Sequence, residues 1–275
     1  MSDKIWFITG ASRGLGHAWA QAALARGDKV VAAVRSVESV APLVDAFGAS
    51  ILPLSVDVSD RASVFGAVDA AIERFGRIDV VVSNAGFGLF GTIEESAEAQ
   101  ARAQFDTNLF GTLWVMQAAL PHLRRQGSGH VLVTSSIAGV ITFPTAGVYN
   151  ATKWAVEGLT ETLASEVAGF GIKVTLIEPG GYDTDWRGAS AAHTTPIAAY
   201  DPLREAMKAA SVGRKLADPR STASAILAVV DADEPPLRLI LGNVGLPAAK
   251  KAYEQRLATW EAWASTSEAA QGLVN

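Results

Sequence analysis

The sequence predicts an α/β fold built on a doubly wound parallel sheet of about seven strands, with helices on both faces. Short, continuous apolar runs rich in valine and isoleucine recur along the chain, as expected for strands that are covered on both faces. Amphipathic segments alternate with these runs, which implies right-handed crossovers between parallel strands. Neither an internal repeat nor a linker divides the 275 residues. We therefore expect a single domain over residues 1–275 with a substantial core.

The candidate strands are the apolar runs at residues 5–9, 29–34, 51–56, 79–83, 130–134, 173–177 and 238–241. Between them, helical patterns occur at residues 15–26, 61–75 and 97–125. Pro121 is expected to interrupt or end the last of these helices, because proline cannot donate to the helical ladder. The Gly-Ser-Gly turn at residues 127–129 then leads into the next strand.

Two regions interrupt the alternation of strands and helices. Residues 182–217 contain many small residues and no obvious strand, and a long insertion after a strand's carboxyl end is typical of a substrate lid. Residues 247–275 form a helical tail in which large apolar residues recur at mostly helical spacing. These are Tyr253, Leu257, Trp260 and Trp263. Such a stripe is more often packed in a core than used for binding.

Composition excludes several classes of function. A formal net charge of −5, with no lysine- or arginine-rich stripe, argues against nucleic acid as the main ligand. The absence of cysteine excludes disulfides, thiolate metal sites and cysteine nucleophiles. No apolar run is long enough for a membrane span, and no signal peptide precedes the first strand, so we expect a cytoplasmic protein. No metal site is expected, because the four histidines form no metal-like cluster: His17, His122, His130 and His193.

A glycine-rich turn follows the first candidate strand, in residues 9–16. Gly10 would allow the turn, while Gly14 and Gly16 would allow a cofactor and the strand to approach closely. A helix start of this kind offers backbone N–H groups to an anionic pyrophosphate. The spacing differs from the common G-x-G-x-x-G fingerprint. A glycine loop alone could be a plain turn, but the strand before it and the helix after it favour a cofactor site.

Tyr149 and Lys153 stand four residues apart in one predicted helix. Residues at this spacing share a helix face, so the ammonium can lie beside the phenol. A neighbouring cation favours an ionised phenol, which makes tyrosine a better proton donor and acceptor near neutral pH. The pair therefore indicates acid–base chemistry.

Together these segments resemble the short-chain dehydrogenase/reductase family, whose fold is Rossmann-like. The resemblance covers about residues 4–184 and, more loosely, the strand near Leu239. The matching motifs are the glycine loop, residues 83–86 (Ser-Asn-Ala-Gly), the set Asn108, Ser136, Tyr149 and Lys153, and Pro179, Gly180 and Thr184. Two positions depart from the family pattern: Ser83 replaces an asparagine, and Glu178 stands where asparagine is common.

The resemblance implies a role for each catalytic residue. Tyr149 would be the general acid and base, and Lys153 would lower its pKa and hold the nicotinamide ribose. Ser136 would hydrogen-bond the substrate oxygen, although the adjacent Ser135 is an alternative; the family places its serine thirteen residues before the tyrosine. Asn108 would support a water in a proton relay, or would only satisfy buried backbone groups at a helix irregularity.

The resemblance also implies the cofactor site. Its residues would be Gly10, Ser12, Arg13, Gly14, Leu15, Gly16, Arg35, Asp57, Val58, Asn84, Ala85, Gly86, Tyr149, Lys153, Pro179, Gly180 and Thr184. For Asp57, which would contact adenine, the alternative is a helix N-cap at the neighbouring Ser59 or Asp60.

NADP is the expected nicotinamide cofactor. Members of the family that prefer NAD have an aspartate where this chain has Val34, and Arg35 follows it. Together with Arg13, this guanidinium can bind a 2′-phosphate through charge-assisted hydrogen bonds. The alternative is that Arg35 is a solvated surface charge.

The walls of the predicted site are apolar, which favours a hydrophobic ketone, aldehyde or alcohol as the small-molecule substrate. They are formed by Phe87, Leu89, Phe90, Val140, Ile141, Phe143 and Trp186. Cations in the predicted lid leave an anionic carrier substrate open: Arg187, Arg204, Lys208 and Arg214. His193 could also touch substrate, although a solvated loop histidine is the commoner case.

Two other functions are compatible with bound nicotinamide, namely a non-redox lyase or epimerase and a non-catalytic NADP-binding regulator. The first would need a further acid or base, which the sequence does not show. The second would not need the four catalytic residues. The resemblance finally implies a homodimer or homotetramer formed through helices such as the one that contains Tyr149.

Overall fold

A parallel sheet of seven strands forms the centre of the computed structural model, which describes residues 3–188, 190–213 and 215–272. The strands are β1 Ile5–Thr9, β2 Lys29–Val34, β3 Ile51–Ser55, β4 Val80–Ser83, β5 Gly129–Thr134, β6 Ile172–Pro179 and β7 Arg238–Leu241. Their order across the sheet is β3-β2-β1-β4-β5-β6-β7, and every neighbouring pair is parallel. The predicted doubly wound sheet is confirmed, with strand ends that differ from the prediction by at most two residues.

Helices cover both faces of the sheet. They are α1 Gly14–Ala25, α2 Ala41–Phe47, α3 Arg61–Phe75, α4 Glu98–Phe105, α5 Gly111–Gln126, α6 Gly147–Val167, α7 Asp201–Ser211, α8 Ala223–Asp231, α9 Gly245–Ala262 and α10 Ala264–Ala269. Buried residues of α3, α5 and α6 form one core with the sheet, and those of α1, α2 and α8 form the other. The strand order reverses between β1 and β4, and a crevice at the carboxyl ends of such strands is the usual ligand site.

The helix predicted at residues 97–125 is divided, although not at its proline. A π-helical turn, Asp106–Phe110, separates α4 from α5. The expectation that Pro121 interrupts or ends the helix is wrong, because α5 continues through it to Gln126. Leu123 and Ala119 on either side are fully buried, and that packing offsets the cost of about 3 kcal/mol that proline imposes inside a helix.

The region at 182–217 contains more regular structure than the sequence indicated. Ala192–His193 forms a short strand, which pairs in parallel with Leu89–Phe90. Helix α7 then follows. The expectation of no strand is therefore wrong, since two residues are too few to give an alternating pattern in the sequence.

The expectation that the tail packs its apolar stripe in the core is also wrong. Helix α9 buries Gly245 and Ala249 against the loop after β5 and against β7. The large residues instead face outwards: Tyr253 is 44% exposed, Leu257 50%, and Trp260 and Trp263 63% each. Among the described helices, none combines the length and apolar character that crossing a bilayer requires.

Candidate active site at the carboxyl ends of the strands

The glycine turn after β1 has the backbone geometry that an anion site needs. Gly10 and Gly14 have φ angles of +68° and +59°, a region that residues with a Cβ rarely adopt. No side chain caps the start of α1, and its first turn contains no acidic residue. The first backbone N–H groups of α1, those of Gly14, Leu15 and Gly16, therefore have no partner within the helix. They lie at its positive end, which is suited to binding a phosphate group. The half-buried Ser12 lies in the same turn.

Asn84 braces this turn from the end of β4. Its Nδ2 donates to the carbonyl oxygens of Thr9 (3.1 Å) and Gly10 (3.3 Å), and its Oδ1 accepts from Thr134 Oγ1 (3.2 Å). A Cβ on Gly16 would collide with the Asn84 amide, so glycine is required there by the protein itself. Asn84 thus links β1, β4 and β5 at the crevice.

The carboxyl ends of β2 and β3 present Arg35 and Asp57 at the surface. Asp57 accepts hydrogen bonds from the backbone N–H (2.9 Å) and the hydroxyl (2.7 Å) of Ser59. These bonds, with a smaller contribution from Arg35, hold the pKa of Asp57 below its usual value. The N-cap of α3 is Asp60, which accepts from the Ala62 N–H. The N-cap expected at Ser59 or Asp60 is thus confirmed at Asp60, while the contact of Asp57 with adenine stays a prediction.

Two residues of the predicted cofactor site, Val58 and Arg13, have side chains that already contact other parts of the protein. The Val58 side chain is buried in the core and meets Gly111, so only its backbone remains for a ligand. The Arg13 guanidinium lies 3.4 Å from the Asp185 carboxylate in an exposed pair. Such a pair is worth at most about 1 kcal/mol, so a phosphate can replace Asp185 as the partner of Arg13.

Thr184 and the end of β6 lie on the other side of the glycine turn. A Cβ on Gly14 would stand 3.3 Å from Thr184 Cγ2, so this segment approaches the start of α1. Pro179 is the last residue of β6, and the N–H of Gly180 donates to the Leu241 carbonyl at the end of β7. The predicted closing segment is therefore next to the predicted phosphate site.

Asn108 lies in the π-helical turn and is fully buried. Its Nδ2 donates to the Phe87 carbonyl (3.0 Å) and to Thr152 Oγ1 (3.2 Å), while its Oδ1 accepts from the Phe87 N–H (3.1 Å). A π-helical turn often marks a functional site. Here it places the Asn108 amide between the loop after β4 and helix α6. Asn108 therefore satisfies buried backbone groups at a helix irregularity, which was the alternative to a role in a proton relay.

Ser135 and Ser136 follow β5 and face different surroundings. Ser135 is buried, and its hydroxyl lies close to Gly139 and Glu157 behind the site. Ser136 is half-buried, and its hydroxyl accepts from the Ala138 N–H at 3.1 Å. Ser136 is thus the more accessible of the two hydroxyls.

Tyr149 and Lys153 lie on the buried face of α6, and Tyr149 is only 5% exposed. The Lys153 ammonium lies 5.8 Å from the centre of the Tyr149 ring and donates to the Thr134 carbonyl at 2.8 Å. A Cβ on Gly86 would lie 3.9 Å from the Lys153 nitrogen, so the loop of Ala85 and Gly86 adjoins this ammonium. Burial lowers the pKa of Lys153 to about 8, and the Glu157 carboxylate opposes that shift.

Aromatic rings cover this pair. The indole of Trp186 lies 4.8 Å from the Tyr149 ring and meets Phe90 edge-on at 5.0 Å. The His193 ring also stacks on Phe90, with ring centres 5.6 Å apart. Of the predicted wall, Trp186 therefore adjoins Tyr149 and Phe90 packs on Trp186, whereas Val140 and Ile141 pack with helix α9.

Glu95 anchors the segment that carries these rings, a role that no sequence pattern indicates. Its side chain is 1% exposed and accepts from the Ile197 N–H (2.7 Å), the Thr92 N–H (2.8 Å) and Arg204 Nη1 (2.6 Å). The two backbone N–H groups are the main reason why the pKa of Glu95 falls to about 2. Among the lid cations, Arg204 is thus a structural residue. Arg214 and the side chain of Arg187 lie outside the described residues.

A second group of charges, in which Glu157 and Glu178 are buried, lies behind Lys153. Arg238 on β7 donates to Glu157 (3.0 Å) and Glu161 (2.8 Å) on α6, and its Nε lies 3.5 Å from Glu178 on β6. Burial, reinforced by the nearby Glu157, raises the pKa of Glu178 to about 7. The sequence marked Glu178 only as a departure from the family pattern. Neither here nor elsewhere in the described residues are three acidic, histidine or cysteine side chains grouped so as to hold a metal ion.

Comparison with protein families and curated proteins agrees with this geometry. The family model for the short chain dehydrogenases matches residues 4–195. The oxidoreductase BOA17 of Botryotinia fuckeliana is 43% identical over 96% of this chain and 98% of its own length. The 3-ketodihydrosphingosine reductase of Bacteroides thetaiotaomicron is 35% identical over 88% of this chain and 89% of its own.

Solved structures share the fold over most of the chain. A short-chain dehydrogenase from Streptomyces avermitilis is 35% identical, with a TM-score of 0.92 over 99% of this chain and 100% of its own. An alcohol dehydrogenase from Thermococcus sibiricus in complex with 5-hydroxy-NADP is 30% identical, with a TM-score of 0.75 over 89% and 98%. A Burkholderia phymatum enzyme in complex with NAD is 27% identical, with a TM-score of 0.81 over 94% and 95%. Related enzymes thus bind either nicotinamide cofactor.

Proposed function

The chain belongs to the short-chain dehydrogenase family and is an oxidoreductase by that membership, and from this premise we propose that it reduces hydrophobic ketones or aldehydes with NADPH. The observation that carries the proposal is the buried Tyr149–Lys153 pair beneath Trp186. It combines a proton donor, a cation and an apolar wall at the crevice where the strand order reverses.

Each residue of the set Asn108, Ser136, Tyr149 and Lys153 has its own role in the proposed reaction. Tyr149 donates a proton to the carbonyl oxygen as that oxygen becomes an alkoxide, and it takes the proton back in the reverse direction. Lys153, fixed by Thr134, supplies a positive charge that favours the ionised phenol. Ser136 orients the substrate oxygen through a hydrogen bond. Asn108 holds the loop at Phe87 and the helix at Thr152 in register, and its part in a proton relay belongs to the same proposal.

The cofactor site fits a dinucleotide phosphate. The uncapped start of α1 offers N–H groups to the pyrophosphate, and Asp57, Val58 and Asn84 to Gly86 line the rest of the crevice. Arg35 and Arg13 favour the additional phosphate of NADPH over the ribose hydroxyls of NADH. When bound, NADPH supplies the hydride.

A hydrophobic carbonyl compound is the proposed substrate class. Trp186 adjoins Tyr149 and is itself packed on Phe90. Arg204 of the lid is already paired with Glu95 and Asp201, which leaves it less available to an anionic carrier. One relative is named as a reductase of a 3-keto compound. We assign residues 182–217 the role of a lid over this pocket. A cytoplasmic homodimer or homotetramer stays part of the proposal.

Oxidation of NADPH and NADH, measured in parallel against hydrophobic ketones and aldehydes, tests the proposal. Turnover with NADPH on neutral apolar carbonyls is the expected result. Activity restricted to phosphorylated or carboxylated substrates would refute the apolar pocket. Tight NADPH binding without turnover on any carbonyl would favour the regulator or the non-redox enzyme.

A further inference from the structure

A cavity of about 410 Å³ opens between helix α9 and the outer strand of the sheet, β7. We call it the α9 cavity. Val140, Ile240 and Leu246 give it an apolar lining, and Glu178 and Arg238 give it a charged one. Ligand pockets have volumes of about 300–1,000 Å³, so the α9 cavity has room for one small organic molecule.

The α9 cavity is separate from the candidate active site. Of the described residues that line it, none belongs to the set Asn108, Ser136, Tyr149 and Lys153. Its charged end is joined to helix α6 at Glu157, which lies eight residues, or about 12 Å along the helix, after Tyr149. A molecule in the α9 cavity therefore leaves the Tyr149 phenol accessible to a substrate.

Glu178 presents an acceptor without a donor to this cavity. Its side chain is 1% exposed, and its Oε1 accepts no hydrogen bond from the described residues. The Nε of Arg238 lies 3.5 Å from this oxygen but donates to Glu157 at 3.0 Å. A buried carboxylate oxygen without a donor is destabilising, and a ligand that donates to Glu178 removes this penalty.

The charges beside the cavity favour a cationic ligand over an anionic one. Arg238 is shared by three carboxylates, those of Glu157, Glu161 and Glu178, and Lys153 adds a positive charge only beside Glu157. Among the described residues that line the cavity, no further one is charged. Burial and the nearby Glu157 accordingly raise the pKa of Glu178 to about 7. An ammonium group would supply both the missing positive charge and N–H donors.

We propose that the α9 cavity binds a small organic amine in its ammonium form, with the ammonium donating to Glu178 and the apolar body against Val140, Ile240 and Leu246. Alkylamines resemble the lysine side chain, which stays protonated up to about pH 10, so such a ligand is cationic near neutral pH. Leu246 is 49% exposed and lies at the mouth of the cavity, whereas the buried Glu178 lies at its inner end.

Calorimetric titration of the full chain with phenethylammonium chloride at pH 8 tests the proposal. Most Glu178 carboxyls are ionised at this pH, because their pKa is about 7. One amine per chain should bind, with a Kd of about 1 mM or lower. Phenethyl alcohol has the same carbon skeleton without the charge and should bind roughly tenfold more weakly. No binding of the amine, or equal binding of the alcohol, would overturn the proposal.

Two pairs of variants locate the bound amine, with circular dichroism to show that each fold is kept. Glu178→Gln removes the charge and should weaken binding roughly tenfold or more, while Glu254→Gln removes an exposed charge of α9 outside the cavity and is its control. Leu246→Trp fills the mouth and should abolish binding. Leu257→Trp, at a site of α9 that is 50% exposed and does not line the cavity, should bind like the wild type.

Unchanged binding in either Glu178→Gln or Leu246→Trp would place the amine elsewhere and refute the site. The titrations contain neither nicotinamide cofactor nor carbonyl compound. Their outcome is therefore independent of whether the chain reduces ketones, which turnover measures separately.

Discussion

The indole of Trp186 packs against the phenol of Tyr149, with ring centres 4.8 Å apart and planes tilted by 56°. Phe90 supports the indole from the side, and Gly88 lies so close that a Cβ there would stand 2.9 Å from the Trp186 ring. Trp186 therefore forms the roof over the proposed acid. A substrate that reaches Tyr149 must contact this ring or displace it.

Trp186→Ala removes that roof and should raise the KM for hydrophobic ketones by about tenfold, because an apolar wall of this size contributes on the order of 1–3 kcal/mol to binding. The kcat should change less, since Trp186 moves no proton. Steady-state kinetics with NADPH measure both constants, and Trp186→Phe should give an intermediate KM. An unchanged KM in the alanine variant would show that Trp186 lies outside the substrate path.

The pKa of Lys153 sets an upper pH limit for the reaction. Burial lowers this pKa to about 8, and the ammonium, not the amine, favours the ionised phenol. The value of kcat/KM should therefore fall as pH rises through about 8. Glu157→Gln should move the fall to lower pH, because Glu157 raises the pKa of Lys153. A decline that begins only near the usual lysine value of about 10 would contradict this assignment.

Arg35→Asp should reverse the cofactor preference. The change removes a partner of the 2′-phosphate and adds a charge that repels it, so the ratio of kcat/KM for NADPH to that for NADH should fall roughly a hundredfold. Arg74→Asp is the matched control, since Arg74 lies near Ala49, at the start of β3. Unchanged selectivity in Arg35→Asp would make Arg35 a solvated surface charge.

Glu178 should make stability depend on pH. Its carboxyl binds a proton more tightly in the folded chain, where the pKa is about 7, than in the unfolded chain, where the reference value is 4.5. The folded state therefore loses stability as pH rises from about 4.5 to about 7, by on the order of 3 kcal/mol.

Glu178→Gln cannot ionise, so the difference in the free energy of unfolding between about pH 5 and about pH 8 should shrink. Denaturant titrations at the two pH values measure it. Glu161→Gln, which removes an exposed partner of the same Arg238, should leave that difference in place. If Glu178→Gln does so as well, Glu178 is not the titrating group.

Much of the fold followed from local patterns. Continuous Val and Ile runs located all seven strands, and the ends of α3 agree with the predicted residues 61–75. The π-helical turn at Asn108 has no such signal. A π-helical turn adds one residue to a helical turn, and the pattern of residues 97–125 predicts a continuous helix with or without that extra residue. The break predicted at Pro121 is absent for the opposite reason, since tertiary packing there outweighs the local preference of proline.

The candidate site divides in the same way. The glycine turn and the Tyr149–Lys153 spacing are properties of neighbouring residues, so they were visible in the sequence. The bonds of Glu95 to Arg204, and of Arg238 to Glu157, join residues that are 109 and 81 positions apart. No periodicity records such contacts, and only the fold brings the groups together.

The most direct test of the central claim is turnover by Tyr149→Phe. The change removes one hydroxyl and keeps the ring that packs on Trp186. NADPH binding, followed by cofactor fluorescence, should persist, while kcat should fall by at least about a hundredfold. Tyr253→Phe removes an equivalent hydroxyl on α9 and should retain full activity. A Tyr149→Phe variant that reduces ketones at the wild-type rate would contradict the assignment of Tyr149 as the general acid.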